Sequence, residues 1–119
     1  MKYVCLIYQG TTPLPGIPAW DELSPEEQKA VYDDYAAVTQ HAGVTPGPPL
    51  GRPDDATTVR VQGGRTLTTD GPFASTKEAL GGFFVVEAEH LDAAIEVVAR
   101  VPAARLGGAI EIRPVATYW

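Results

Sequence analysis

Thr57-Thr58-Val59-Arg60-Val61-Gln62-Gly63-Gly64-Arg65-Thr66-Leu67-Thr68-Thr69 decides the fold class of this chain. Two runs rich in Val and Thr flank a Gly-Gly pair, the backbone chemistry of a tight two-residue hairpin turn. In that register Val59 and Val61 share a face with Thr66 and Thr68, and Arg60 and Arg65 share the other with Leu67. A hairpin in mid-chain breaks the strand–helix alternation that a doubly wound parallel sheet requires, so an α+β architecture is expected.

The stretches on either side supply the other elements. Downstream, Gly82-Phe83-Phe84-Val85-Val86-Glu87-Ala88-Glu89 begins apolar on both faces and reads as a central strand. A helix follows from about Leu91 to Arg100, with Leu91, Ile95, Val98 and Ala99 as its apolar stripe, and Pro102 forces an exit. Ala109 to Val115 alternates Ile110 and Ile112 against Glu111 and Arg113, a half-buried strand with Arg113 and Glu111 as same-face neighbours.

Upstream, Lys2 to Tyr8 reads as a first strand. The Pro- and Gly-containing stretch from Gln9 to Asp21 is expected to be a loop with no helix, and loops of that length are often functional. Ser24-Pro25-Glu26-Glu27 has the residues of a capping box with proline at the first helical position. Val31, Tyr35, Val38 and Ala42 then form one apolar stripe, and Gly43 supplies a left-handed stop. Gly43 to Pro53 has room only for a short edge strand.

The resulting order, β-α-β-β-β-β-α-β, fits a ferredoxin-like split βαβ with an inserted hairpin. Two helices on one face of its sheet leave the Phe- and Val-bearing other face bare. A second copy related by two-fold symmetry is the simplest cover, so a homodimer is expected.

All 119 residues fall within the size of one domain, and the 45% apolar content is ordinary for a globular chain. A formal charge of −6 argues against a nucleic-acid partner, which would call for a basic stripe. No apolar run reaches the length of a membrane span, so no membrane partner is expected. Cys5 is the only cysteine, excluding an internal disulfide, and the opening residues resemble a strand rather than a signal segment. The expected compartment is the cytoplasm.

The most unusual local sequence is Asp70-Gly71-Pro72-Phe73, followed by Thr76-Lys77-Glu78 and Gly81-Gly82-Phe83. Asp-Gly-Pro is turn chemistry, with Phe73 expected to anchor the turn in the core. This ordered set resembles the signature of the DGPF subgroup of YCII-related proteins. Further matches are Lys2-Tyr3, Leu23-Ser24-Pro25-Glu26-Glu27, Thr58-Val59-Arg60, Ile95 and Glu111-Ile112-Arg113-Pro114. The resemblance covers nearly the whole chain and implies a dimeric α+β barrel with a cleft in each protomer. Members of that family are suspected of using a His in the first helix with an Asp just after the second. Here the first helix carries Tyr32 and Tyr35 in its middle, and the second exits through Val101-Pro102-Ala103, so that pair is not carried over.

Candidate catalytic residues are therefore Asp70, Lys77, Glu78 and Tyr35. Asp70 has two readings, a general base or a turn cap. Lys77 and Glu78 would hold an anion and shuttle a proton, or form a solvated pair. Tyr35 lies on the helix stripe, with a hydroxyl free to reach a cleft. Candidate substrate-binding residues are Tyr8 at the end of the first strand, Trp20 after the proline loop, Phe73, and the strand arginines Arg60 and Arg113. Trp119 is placed at the dimer interface. His41 and His90 suit helix ends better than a metal site, and no phosphate loop or nucleotide fingerprint is present. No cofactor is expected. The function expected is cofactor-independent proton transfer on a small molecule (elimination, isomerisation or cyclisation), with a ligand- or protein-binding regulatory module as the alternative.

Overall fold

Along β1 (Lys2–Tyr8), Tyr3, Cys5 and Ile7 are buried while Val4, Leu6 and Tyr8 are half-buried on the other face, the period-two pattern of a strand covered on one side. The computed structural model describes residues 1–73 and 79–118, and the sequence-based candidates Lys77, Glu78 and Trp119 lie outside them. β1 is central. It pairs antiparallel with β5 (Leu80–Glu87) on one side and with β6 (Ala109–Pro114) on the other, and β2 (Val44–Pro46) closes the far edge of β5. The order β2-β5-β1-β6 places β5 between β1 and β2, which is the split βαβ of a ferredoxin-like fold.

α1 (Pro18–Asp21) is a single turn inside the segment expected to be loop throughout. Pro18 at its first position explains it, since proline stops a helix from running through but is preorganised to begin one. α2 (Pro25–Thr39) starts as its sequence requires: the Ser24 hydroxyl accepts from the Glu27 N–H at 3.1 Å and the Glu27 carboxylate accepts from the Ser24 N–H at 3.2 Å. α3 (Leu91–Val98) is capped by His90, whose Nδ1 accepts from the Ala93 N–H. α4 (Pro102–Arg105) is one further turn, again opened by proline.

The core lies between one sheet face and these helices. It joins Tyr3, Cys5, Ile7, Phe84 and Val86 of the sheet to Val38, Ala94, Val97, Val98, Val101 and Ala103. The stripe expected for α3 is corrected here. Val98 is buried, but Leu91, Ile95 and Ala99 are exposed, because Ala94 and Val97 turn into the core instead.

β3 (Thr57–Gln62) and β4 (Arg65–Asp70) form a separate two-stranded sheet, paired in the expected register with Val59 opposite Thr68 and Arg60 opposite Leu67. Gly63 and Gly64 both take positive φ at its turn, +56° and +75°. The hairpin projects as an arm: apart from half-buried Thr58, its strand residues are exposed. Overall dimensions are 52 × 39 × 18 Å, and the radius of gyration is 16.3 Å. A compact domain of this length would have a radius of gyration of about 13.5 Å. No described helix is long and apolar enough to cross a membrane.

Candidate functional site

Gln9 follows β1, and its backbone N–H continues the sheet by donating to the Ala79 carbonyl at 3.1 Å. The chain then turns tightly: the Thr12 N–H donates to the Gln9 carbonyl and the Thr11 N–H to Gly107. This turn holds the Gln9 and Thr12 side chains at the end of the sheet. Gln28 Nε2 donates to the Trp20 carbonyl, tying the rest of the long loop to α2.

An apolar cavity of about 300 Å³ opens beside this turn, between α2 and the β2–β5 edge. Ile7, Val38, Phe83 and Phe84 form its walls, Pro46 to Pro49 run along one side, and Gln9 and Tyr35 bring polar atoms into it. The Gln9 Oε1 and the Tyr35 hydroxyl are both buried with no hydrogen-bond partner. An unpaired buried polar atom costs about 1–3 kcal/mol, so two on one cavity wall call for an explanation. Burial pushes the Tyr35 phenol above its ordinary pKa. The Ala103 backbone and the Gln9 side chain, both within reach of the hydroxyl, and the charge of Arg105 oppose that shift. Tyr35 at neutral pH is thus a neutral donor facing an apolar space.

A second, outer cavity of about 520 Å³ shares Gln9, Leu14, Pro49 and Gly81 with the first. Thr12 and Arg52 also line it. Thr12 is only 2% exposed, and its Oγ1 is the third buried polar atom without a partner. A third hollow shares Leu50 to Pro53, Ala79 and Leu80 with the outer cavity and extends to Tyr8, Asp55 and Phe73. The three hollows form one groove passing around the end of the sheet.

The sequence-based candidates are distributed unevenly along this groove. Tyr35 lies at its inner end, and Tyr8 and Phe73 at its outer end. Phe73 is 74% exposed rather than anchored in the core: it lies at the root of the arm on the rim of the third hollow, with the Arg60 guanidinium 4.8 Å from its ring centroid. Asp70 ends the arm, exposed, and lines none of these hollows; the Thr58 hydroxyl donates to the Gly71 carbonyl and secures the turn there. Trp20 is buried away from the groove, edge-on to Tyr32 at 5.4 Å. Arg113 is held on the sheet surface by Glu111, Nε to Oε2 2.6 Å. Among the described residues no cluster of His, Cys, Asp or Glu could hold a metal ion.

Sequence reasoning missed Gln9, Thr12 and Arg52. The Pro- and Gly-rich character of their loops was the available signal, but nothing local distinguishes these side chains from solvated ones. Burial of Gln9 depends on Gly81, and burial of Thr12 on Gly108, each nearby only in three dimensions.

The YCII-related domain matches residues 1–118, and the chain belongs to that family. An uncharacterised protein of Rhizobium meliloti (strain 1021) is 37% identical over 105 residues, covering 84% of this chain and 82% of the relative.

Proposed function

We propose that this YCII-related protein binds a small organic molecule in the inner cavity. The ligand's apolar body would lie against Ile7, Val38 and Phe84, and its polar group would meet Gln9 and Tyr35. The observation that carries this reading is the cavity itself, a mostly apolar space whose lining includes the polar side chains of Gln9 and Tyr35. Ligand sites have this composition, a mostly apolar lining with a few convergent polar groups. Gln9 offers an acceptor and Tyr35 a donor, which suits a carbonyl or hydroxyl group. The test is ligand screening by NMR on the whole chain. Compounds that shift the resonances of Gln9 and Gly81 support the reading, and a screen whose hits all map to other surfaces overturns it.

Proton transfer is the second reading. The neutral Tyr35 phenol is a suitable donor to a developing oxyanion. A base is also needed, and among the described residues no carboxylate lines the inner cavity. Asp70 and the segment containing Lys77 and Glu78 carry the DGPF resemblance and are the proposed source, which makes binding the first reading and catalysis the second. Asp70→Asn separates them. Under the second it abolishes turnover with ligand affinity kept; under the first it changes neither affinity nor chemistry.

The functional unit we propose is a homodimer. A two-stranded hairpin is at best marginally stable by itself in water, yet the arm exposes Val59, Val61 and Leu67. The uncovered sheet face presents Val4, Leu6, Phe83 and Val85 in adjacent cross-strand positions. A second copy would cover both surfaces by one two-fold operation.

A further inference from the structure

We infer that Gly82 is the floor of the inner cavity, and that the side chain missing there makes room for a planar ring system lying against the β5 backbone. This inference rests on the binding reading of the inner cavity and names the shape of molecule it takes. Gly82 pairs with Ile7 of β1 and alternates along β5 with Phe84 and Val86, both buried on the helix-covered side. A side chain at position 82 would point with theirs, into the cavity that Gly82 lines. Glycine weakens a strand at such a position, because it loses more conformational freedom on folding and packs against nothing.

Among the described residues, no contact or backbone angle requires that glycine. Its φ lies outside the left-handed region, and the nearest described atom to a methyl built there is Ile7 Cδ1 at 3.8 Å, an ordinary van der Waals contact. Gly47 and Gly81 line the same cavity and differ in this respect. A methyl would strike the Phe83 carbonyl at the first and the Gln9 side chain at the second. The second, independent observation is the register of β1 and β5, which shifts beside Gly82. Ile7 pairs with Gly82 and Tyr8 with Leu80, so Gly81 has no residue opposite it. Irregularities of this kind recur next to sites, and mid-strand glycines recur where a ligand approaches the backbone closely. Bare peptide is a flat surface, which suits a flat ring better than a puckered one. A cavity of about 150 Å³ holds benzene, so the roughly 300 Å³ here has room for two fused rings.

The experiment uses 2-naphthol and its saturated counterpart decahydro-2-naphthol as probes of the whole protein, by calorimetric titration with NMR mapping and thermal melts. The parent is expected to bind 2-naphthol at least about tenfold more tightly than the puckered analogue, the scale on which a pocket discriminates small differences in bulk. Gly82→Ala should weaken 2-naphthol binding at least about tenfold, since its methyl takes the place of the ring. The same variant should keep or raise the Tm of the free protein, as alanine does where the backbone accepts it. A lower Tm or a failure to fold overturns the inference, because the fold itself then needs the glycine. Unchanged 2-naphthol affinity in Gly82→Ala, with Gln9 and Gly81 resonances still shifted, overturns Gly82 as the floor and leaves the inner-cavity reading intact. Equal binding of the two probes overturns the planar ring. Failure of both probes to bind, or binding that leaves Gln9 and Gly81 unmoved, overturns the inner-cavity reading and this inference together.

Discussion

The Gln9 side chain lies directly over Gly81, so close that a methyl group at position 81 would overlap Gln9 Cγ and Nε2. Gly81 is therefore required for close approach, and it fixes the polar group shared by the two cavities. Gly81→Ala should displace a flexible side chain rather than backbone. The expected change in Tm is less than about 5 °C, the shift that roughly 1 kcal/mol produces in a domain of this size. Ligand affinity should fall while the fold is retained. Gly47→Ala provides the contrast, because its methyl would meet the Phe83 carbonyl and ring. That variant should lose stability as well as binding, and paired thermal melts and titrations distinguish the two.

Tyr35→Phe tests the cost of the unpaired hydroxyl. Removing a buried hydroxyl without a partner leaves the apolar contacts and relieves about 1–3 kcal/mol of desolvation. Urea denaturation of the free protein should show unchanged or increased stability, with an unchanged m-value. Ligand binding should weaken in the same variant. A loss of stability in the free protein would mean that the hydroxyl has a bonded partner in solution.

Much of the fold was legible because its signals are local. Ser24, Pro25 and Glu27 lie within one turn of chain, and the capping box they spell is the one that forms. Gly63-Gly64 likewise sets the arm's turn and register with no help from the rest of the chain. Legibility ended where a side chain's environment comes from distant sequence. Leu91 and Ile95 have the spacing of a core stripe, yet Ala94, Val97 and Val98 are the buried residues of that helix. Phe73 has the character of a core anchor, yet at the root of the arm it lies on the rim of a hollow, exposed beside Arg60. Gln9 was hidden for the same reason, since Gly81, seventy-two positions later, is what admits it.

The exposed arm makes the dimer testable at residues outside the protomer core. Val59→Lys with Val61→Lys places two charges on one arm face, and Leu6→Lys places one on the uncovered sheet face. Sedimentation velocity should give twice the 12.7 kDa chain mass for the parent and the single-chain mass for these variants. The α2 and α3 helical signal should persist in both, because neither substitution reaches the helix-covered core. A parent protein that sediments at the single-chain mass overturns the dimer.

Cys5 provides a readout of core integrity against pH. It is fully buried in β1, and desolvation pushes its thiol up to about 11. In the unfolded chain the thiol ionises near about 8.5, so between these values the folded state holds a proton that the unfolded state has released. The unfolded state then binds fewer protons, and by linkage stability falls as pH rises through this window. Below about pH 8 both states are protonated and Cys5 contributes no slope. The accumulated loss by pH 11 should be on the order of 2–3 kcal/mol. The phenol of Tyr35 is also raised by burial and adds a decline in the upper part of the range. Cys5→Ala should therefore flatten the profile from about pH 8.5 upward while keeping the later Tyr35 decline, and adding Tyr35→Phe should remove that as well. Denaturant titrations at half-unit pH intervals provide the comparison. A Cys5→Ala profile that falls as steeply as the parent's would show that the thiol ionises without penalty, and hence that water reaches the β1 core.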